Sequence, residues 1–453
     1  MKKAIVWFRN STLRLADNPA LHYAASGGYR CIFLYIHNSE HTIGSASKWF
    51  LYHALTSLEN DILRYYNTKL MIKIGQEQEI LQQLITEHNI DLLTYNKVYE
   101  PKEMLLDITL LQNLQCNIES FNGSLLFEPS CIQNKQGSFF KVFTPFWKKL
   151  ASQFGEIPEI QSIPSHIDTD NVQSNTTAQN LNLLPMKPNW ASDWNECYTT
   201  SEEQTHQMLD NFIQHKIGTY TDKRNIPSLD STSHVSPNLH FGLISPRQIY
   251  YKLLPFLDNK SAEHFLMEIC WREFAYYILY HFPSLPHKNF LTKFNQFLWQ
   301  NNNEDLAKWQ KGETGFPIID AGMRELWQTG YMHNRVRMIV ASFLTKNLLI
   351  DWRLGAAWFN DYLADADLAS NSFAWQWVAG CGCDGAPYFR IFNPITQAQK
   401  FDKNAEYIKK WIPEIKNLSI KEIHATHNIA GYHKKMIDLS FSRKLALDLY
   451  KHL

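Results

Sequence analysis

The sequence lacks the features that direct a chain into a membrane or an oxidising compartment. No apolar run approaches the roughly 18 consecutive residues of a membrane span. Arg9 interrupts the opening apolar run too early for a signal peptide. The seven cysteines are odd in number and widely scattered, which is typical of free thiols in a reducing cytoplasm. Only Cys381 and Cys383 stand close together, without the Cys/His set of a zinc site, so we expect a cytoplasmic protein without a metal.

The sequence also lacks net charge. Its 44 Lys and Arg residues balance its 44 Asp and Glu residues, which excludes a globally basic nucleic-acid binder and leaves only a local basic patch. Residues 1–199 carry three more acidic than basic groups, and residues 200–453 carry three more basic than acidic groups. We therefore expect any basic patch in the second part. Tryptophan, in contrast, is abundant: 14 indoles in 453 residues exceed what a core needs.

The first part of the chain alternates short apolar runs with stretches of helical period, such as Lys48–Tyr66 and Glu77–His88. The apolar runs are Lys3–Phe8, Cys31–Ile36, Leu70–Ile74, Leu92–Lys97 and Asn117–Asn122. This alternation predicts an α/β fold with a parallel five-stranded sheet and helices on both faces. No G-x-G-x-x-G follows the first strand, so the fold is Rossmann-like without the dinucleotide fingerprint.

The composition divides the chain into three predicted regions. Residues 1–130 form the α/β domain, and residues 131–199, rich in Pro, Ser, Thr, Asn and Gln, form a surface linker that wraps one domain. Residues 200–453 show helical period almost throughout and form an all-α domain. The predicted helices there include Pro246–Leu257, Ala262–His281, Ile319–Gln328, Asn334–Leu348 and Ala357–Asp361.

Two segments of the helical part combine polar groups with tryptophan. Asn371 and Trp375 are four residues apart and share a helix face, just after Asp365 and Asp367. The two aspartates are either a helix N-terminal cap pair or, on weaker grounds, part of a divalent-metal site. Glu268, Trp271 and Arg272 stand at i, i+3 and i+4 and share another face, which alone is more typical of a surface salt bridge packed on an indole than of a binding site.

Two further segments carry basic groups and hydroxyls. Asn334 and Met338 share one helix face, while Arg335 and Arg337 point elsewhere; alone, this is typical of a solvated basic helix. Hydroxyls cluster ahead of a predicted helix, where free N–H groups suit a phosphate, although a simple Ser/Thr cap explains them equally well. The hydroxyl residues are Tyr220, Ser231, Thr232, Ser233 and Ser236, and the basic residue Arg224 lies between Tyr220 and Ser231.

Together the four segments resemble the photolyase/cryptochrome family, most closely the bacterial class I cyclobutane pyrimidine dimer photolyases. The resemblance covers nearly the whole chain, from Ile5-Val-Trp-Phe-Arg9 and Leu13-Arg-Leu-Ala-Asp-Asn-Pro-Ala-Leu21 to Asn393-Pro-Ile-Thr-Gln-Ala-Gln-Lys-Phe-Asp402. It implies an N-terminal α/β antenna domain, an interdomain linker, and a helical catalytic domain that binds a U-shaped FAD.

The resemblance also assigns roles to individual residues. It implies a FAD ribityl-phosphate region formed by Tyr220, Thr232, Ser233 and Ser236. It implies an ion pair of Arg337 and Asp365 beside the isoalloxazine, Asp367 at the bend of FAD, Asn371 facing flavin N5, and Arg272 among the cofactor-binding residues. It implies a lesion pocket lined by Glu268, Trp271, Arg272, Asn334, Met338 and Trp377. It implies DNA contacts from Arg224, Glu268, Trp271, Arg335 and Arg390, and an electron-transfer chain of Trp375, Trp352 and Trp299.

The function implied by the resemblance is light-driven repair of cyclobutane pyrimidine dimers by electron transfer from excited reduced FAD. The partner is DNA that contains such dimers, and the chain is expected to act as a monomer. Asn371 favours repair over cryptochrome signalling, as does the absence of a long tail after Leu453. Asn334 and Met338 favour the cyclobutane lesion over the (6-4) photoproduct, for which the family pattern has a histidine where this chain has Asn334; His333 is one position off. Cryptochrome signalling and (6-4) repair stay as alternatives.

A second, antenna chromophore is also implied, but its identity is open between a folate, a deazaflavin and none. The region Tyr99-Glu100-Pro-Lys102-Glu103 is similar to the folate site of bacterial members, with Glu103 as the acidic ligand. Lys102 replaces the usual amide, and His287-Lys288 is shifted from the expected lysine. Residues Arg9-Asn-Ser-Thr-Leu13 also depart from the family's Arg-x-Asp-Leu pattern.

Overall fold

The structure is a computed structural model, and it describes residues 1–41, 43–170, 175–185, 188–385, 387–388 and 390–453. The strands are β1 Lys3–Phe8, β2 Arg30–His37, β3 Met71–Ile74, β4 Leu92–Asn96 and β5 Asn117–Phe121. The first helices are α1 Pro19–Ser26, α2 Ser45–Tyr66, α3 Glu77–His88, α4 Pro101–Asn113, α5 Phe143–Ala151, α6 Glu202–His215, α7 Tyr220–Lys223, α8 Ser236–His240, α9 Pro246–Leu253 and α10 Lys260–His281. The remaining helices are α11 Asn303–Lys311, α12 Pro317–Thr329, α13 Asn334–Ser342, α14 Trp352–Tyr362, α15 Leu368–Ala379, α16 Pro394–Phe401, α17 Glu406–Trp411, α18 Ile420–Ile423 and α19 Leu439–Lys451.

The five strands form one parallel sheet in the order β3-β2-β1-β4-β5. The central strand β1 pairs through Val6 with Phe33 of β2 and Thr94 of β4. Each connection between consecutive strands runs through a helix, as a parallel sheet requires. The prediction of an α/β fold with five parallel strands is confirmed, and every predicted strand agrees with the structure to within one residue at each end.

The chain divides into two compact units. The first unit comprises Met1–Phe140, Thr144–Gly218 and Ser233–His281, and the second comprises Lys141–Phe143, Thr219–Thr232 and Phe282–Leu453. Helices α6 and α8 to α10 thus belong to the compact unit of the sheet, although their sequence period alone assigned them to the helical region. The predicted boundaries at residues 130 and 199 stay a prediction, because compact packing units need not coincide with domains.

The predicted linker lies against the α/β part of the first unit. Thr169 forms a single parallel bridge with Cys31, and the Tyr66 hydroxyl donates to the Pro164 carbonyl at 3.0 Å. The linker also contains a helix, Phe143–Ala151, that the sequence analysis did not predict.

Each unit has its own apolar core. In the first unit, side chains from the sheet such as Ile5, Leu34 and Leu93 pack with Leu81 and Leu110 of the flanking helices. In the second unit, a larger cluster is centred on residues such as Trp309, Val336, Trp352 and Trp375. This core fixes the helices that carry the candidate site residues of the second unit.

Candidate functional site

Helix α13 begins at a residue cluster that the sequence singled out. The His333 side chain is the N-cap and accepts from the Arg335 backbone N–H at 3.2 Å. The Arg335 guanidinium donates twice to Asn225 Oδ1, at 3.2 and 2.7 Å, and lies over the Phe401 ring. Burial and the nearby Arg224 guanidinium lower the pKa of Arg335, so these two cations lie close together. They form a basic patch in the second unit.

The next turn of α13 carries an ion pair. Arg337 Nη2 lies 3.0 Å from Asp365 Oδ2, and Arg337 Nε donates to the Met332 carbonyl at 2.7 Å. The Asp365 carboxylate is only 6% exposed. The pair that the resemblance implied is therefore present, and its position beside the flavin stays a prediction.

The two aspartates before α15 have different roles. Asp367 is the N-cap of α15 and accepts from the Ser370 N–H at 2.7 Å. Asp365 pairs with Arg337 instead, so the interpretation of both residues as a cap pair was right for Asp367 alone. Among the described residues, no group of three His, Cys, Asp or Glu side chains is placed to hold a metal ion.

The face of α15 that carries Asn371 and Trp375 points toward α14. Asn371 Nδ2 donates to the Ala356 carbonyl at 2.9 Å, which fixes the orientation of the amide. Trp375, one turn later, is 2% exposed, and its ring packs edge-on against Phe359 with centroids 5.0 Å apart. Trp377 is half-buried at the border of the same core.

The three predicted electron-transfer indoles lie on segments that contact one another. A Cβ built on Gly355 of α14 would lie 2.2 Å from the Trp375 ring, and Trp352 is one turn away on the same helix. Gln300 N–H donates to the Leu349 carbonyl at 2.8 Å, which joins the Trp299 segment to the start of α14. Trp352 is fully buried and Trp299 is half-buried, so the series runs from the core toward the surface.

The predicted hydroxyl cluster divides between the two units. Tyr220 and Thr232 belong to the second unit, where Arg224 lies over the Tyr220 ring and Thr232 hydrogen-bonds the Tyr331 side chain. Ser233 and Ser236 belong to the first unit. Ser233 Oγ accepts from the Val235 N–H at 3.4 Å, and Ser236 is the exposed first residue of α8.

Helix α10 of the first unit carries Glu268, Trp271 and Arg272 on one face, as predicted. Glu268 Oε1 lies 3.5 Å from His264 Nε2. Arg272 Nη1 donates to the Ser124 carbonyl at 2.9 Å, whereas its buried Nη2 has no hydrogen-bond partner among the described residues. A buried guanidinium N–H left open in this way suits an anionic ligand.

The antenna region contains an ion-pair cluster. Glu103, the predicted acidic ligand, pairs with Arg9 and lies 3.2 Å from His41. Arg9 also pairs with Asp107 at 2.6 Å. The Tyr99 hydroxyl donates to Glu128. The charge of Glu103 is therefore already balanced by side chains of this chain.

Sequence reasoning did not predict the supporting roles of four polar residues of the site. Asn225 binds Arg335, and His333 caps α13. Glu325 Oε2 accepts from the His333 N–H at 3.1 Å and from the Tyr407 hydroxyl at 2.6 Å, and burial raises its pKa to about 7. Lys346 is buried and donates to the Arg390 carbonyl. Asn225 and His333 had a sequence signal, because Asn225 directly follows Arg224 and His333 directly precedes Asn334.

Two sequence models of one family match the chain. The model described as "DNA photolyase" matches residues 4–165, and the model described as "FAD binding domain of DNA photolyase" matches residues 265–452. The buried Nη2 of Arg272, which has no hydrogen-bond partner among the described residues, is a donor of the kind that the diphosphate of a flavin dinucleotide needs, so this residue of the first unit fits FAD.

The chain is similar to curated and solved proteins over almost its whole length. A deoxyribodipyrimidine photo-lyase of Agrobacterium fabrum is 42% identical, over 93% of this chain and 89% of that protein. Cryptochrome-2 of Arabidopsis thaliana is 31% identical, over 98% of this chain and 78% of that protein. The crystal structure of a bacterial class III photolyase from Agrobacterium tumefaciens has a TM-score of 0.95 at 39% identity and covers 100% of this chain and 98% of that chain. The chain therefore belongs to the DNA photolyase and cryptochrome family and carries its FAD-binding domain.

Proposed function

We propose that this protein uses light to split cyclobutane pyrimidine dimers in DNA. The observation that carries the proposal is the face of α13, where the exposed Asn334 amide stands one turn from the half-buried Met338 thioether. An amide offers both a donor and an acceptor to a base edge, and a thioether offers a polarisable apolar surface to a ring. Next to this face lies the ion pair of Arg337 and Asp365.

Other residues are assigned to the same substrate. A dimer inside the duplex has to be extruded, which costs a few kcal/mol and less for a badly stacked pair. Half-buried Trp271 and Trp377 offer π faces to the extruded rings, and Glu268 accepts from a pyrimidine N3–H. Arg224, Arg335 and exposed Arg390 bind the phosphates around the lesion. The protein acts as a monomer in the cytoplasm.

The remaining residues orient the cofactor. When bound, FAD would supply light-driven, reversible one-electron chemistry to the dimer with no net redox change. Asn371, with its amide fixed by the Ala356 carbonyl, presents a neutral polar group to the flavin ring. Asp367 holds the start of α15, and Arg337 with Asp365 places one cation and one anion at the ring. Tyr220, Thr232, Ser233 and Ser236 are assigned to the ribityl-phosphate part of FAD, and Arg272 is assigned to the cofactor as well.

The indoles of the second unit form a separate route. Trp299, Trp352 and Trp375 are assigned to an inward electron route, because the Trp299 segment is hydrogen-bonded to the start of α14, which carries Trp352, and the Trp375 ring packs against Gly355 one turn later on α14. This route brings electrons inward when the flavin is oxidised and is not needed for repair by reduced protein.

The buried position of His333 argues against repair of the (6-4) photoproduct. Its ring is 3% exposed and caps α13 by accepting from the Arg335 N–H. A proton donor to a lesion has to reach the substrate, and a buried capping ring does not. The similarity to Cryptochrome-2 of Arabidopsis thaliana keeps cryptochrome-type signalling as the alternative function.

The experiment compares two lesions. Reduced protein is mixed with an oligonucleotide that contains either one cyclobutane dimer or one (6-4) photoproduct, and is then illuminated. We expect repair of the cyclobutane dimer alone. Asn334→Ala should slow it about fivefold to tenfold, through a lost hydrogen bond of about 1 kcal/mol, while the control Asn303→Ala at the exposed start of α11 should not. Repair of the (6-4) product, or of neither lesion, contradicts the proposal.

The absorption spectrum of the purified protein identifies the antenna. Flavin bands alone mean that no second chromophore is bound. An additional near-ultraviolet band indicates a folate, and an additional violet band indicates a deazaflavin.

A further inference from the structure

A buried lysine lies next to a proposed DNA contact in the second unit. After α13 the backbone widens into one π-helical turn, Phe343–Asn347, and Lys346 in this turn is 1% exposed. Such turns occur frequently at functional sites. Burial, together with the nearby Arg390 guanidinium, lowers the pKa of Lys346 to about 8, so the side chain is still largely cationic at neutral pH. Burying an ammonium is costly unless it is well paired.

The contacts of Lys346 lead to the backbone of Arg390. Lys346 Nζ donates to the Arg390 carbonyl at 3.2 Å. Ser342, four residues earlier, accepts at Oγ from the Phe392 N–H at 3.2 Å. The end of α13 and its π-helical turn therefore hold the chain on both sides of Ile391.

An aromatic support lies beneath the same segment. The Lys346 ammonium lies 5.1 Å from the centroid of the Tyr388 ring, and Tyr388 stacks on Tyr450 of α19 with centroids 4.5 Å apart. Tyr388 is 2% exposed, whereas Arg390, two residues later, is exposed. The segment thus has a buried anchor in Tyr388 and an exposed cationic side chain in Arg390.

We propose that Lys346, together with Ser342, is a positioning residue for DNA binding that fixes the backbone from which Arg390 reaches a phosphate. The inference rests on the proposed DNA contact of Arg390. Fixing the backbone removes conformational freedom before DNA arrives, so less entropy is lost when the guanidinium engages. Lys346 itself is buried and does not touch the substrate.

A double-mutant cycle tests this inference. The dissociation constant of FAD-loaded protein for a dimer-containing oligonucleotide is measured in the dark by fluorescence anisotropy, at one fixed salt concentration. The variants are Lys346→Met, Arg390→Ala and the double variant. We expect Lys346→Met to weaken binding about threefold to tenfold, and the double variant to bind no more weakly than Arg390→Ala, because both changes remove the same contact.

Two further variants serve as controls. Lys308→Met removes one positive charge from a side chain of α11 that is 41% exposed, and it should leave the dissociation constant unchanged. Ser342→Ala removes the second backbone contact and should show the same non-additivity with Arg390→Ala, which keeps the inference testable if Lys346→Met does not fold. Flavin absorbance of each variant verifies that FAD is still bound.

The outcomes separate the inference from the proposed function. If Arg390→Ala weakens DNA binding but Lys346→Met and Ser342→Ala do not, the positioning role is wrong and the proposed DNA contact stands. The same conclusion holds if the losses of binding free energy in the single variants add up in the double variant. If Arg390→Ala leaves the dissociation constant unchanged, the DNA contact itself is wrong and the inference falls with it.

Discussion

Replacing Gly355 by alanine tests how tightly the indole Trp375 is held. A Cβ at this position would lie 2.2 and 2.5 Å from two ring carbons of Trp375 and 2.6 Å from Leu344 Cδ2. Ordinary contacts are about 3.5–4.0 Å, so the ring or the helix has to move by more than ~1 Å. The ring cannot move freely, because it packs against Phe359 and Trp309 with centroids 5.0 and 6.3 Å away.

Two opposing effects set the size of the change. Alanine is favoured over glycine inside a helix by about 1 kcal/mol, while overpacking a core costs about 1–3 kcal/mol. The bicyclic ring and the three short distances place the cost near the upper end of that range. We therefore expect Gly355→Ala to lose about 2 kcal/mol of unfolding free energy and to slow light-driven reduction of the flavin, because Trp375 is displaced.

Calorimetry of the FAD-loaded protein measures the loss of unfolding free energy, and bleaching of oxidised flavin under light measures the rate of flavin reduction. The control is Gly155→Ala, where an added Cβ meets nothing within 4 Å; we expect it to melt at or slightly above the temperature of the parent protein. If Gly355→Ala melts no lower than the parent and its flavin bleaches at the parental rate, the tight packing of Trp375 against α14 is wrong.

Three other changes have defined outcomes. Trp375→Phe should retain FAD and lose most light-driven flavin reduction by an external thiol, yet repair dimers near the parental rate once its flavin is chemically reduced. Arg335→Ala should weaken binding of damaged and undamaged DNA alike and flatten the logarithmic salt slope by about one phosphate contact. Glu325→Gln should remove a pH dependence: because burial raises the pKa of Glu325 to about 7, the folded parent holds a proton that the unfolded chain has lost. Parental stability then falls as pH rises from about 4.5 to 7, by on the order of 1–3 kcal/mol.

Each of these predictions can fail. Normal bleaching in Trp375→Phe removes that indole from the electron route, and lost repair with prereduced flavin places it in the repair site itself. An unchanged salt slope for Arg335→Ala removes Arg335 from the DNA contacts. For Glu325→Gln, melting is compared at about pH 5 and about pH 8. The amide can still accept from His333 and Tyr407, so the melting temperature of the variant should rise relative to that of the parent at the higher pH. The same difference in melting temperature at both pH values contradicts the assigned titration.

The sheet could be predicted from the sequence because short, mostly apolar runs alternate with stretches of helical period, although β5, Asn117–Phe121, mixes polar and apolar residues. Helix Glu77–His88 agrees with its prediction to the residue. The predicted helix Asn334–Leu348 is less regular: it ends at Ser342 and continues as a π-helical turn to Asn347. Hydrophobic period does not distinguish these two kinds of turn, because the buried side chains recur in both.

The candidate site was predictable where its partners are close in sequence. The shared face of Glu268, Trp271 and Arg272 follows from helical spacing, and all three lie on α10. Partners distant in sequence were not predictable: Asn225 meets Arg335 across 110 positions, and Glu325 meets Tyr407 across 82. The raised pKa of Glu325 likewise results from burial, which depends on packing and not on sequence pattern.

The most direct test of the proposed function is the recovery of thymine absorbance under light. A cyclobutane dimer has lost the C5=C6 ring double bonds that give thymine its nucleic-acid ultraviolet band, and splitting restores them. Protein with reduced flavin is mixed with an oligonucleotide that contains one thymine dimer, and samples are kept in the dark or under blue light. We predict recovery of the band only in the light, over many turnovers and without net oxidation of the flavin. Binding of the oligonucleotide with no recovery in the light would contradict the assignment as a dimer-repair enzyme.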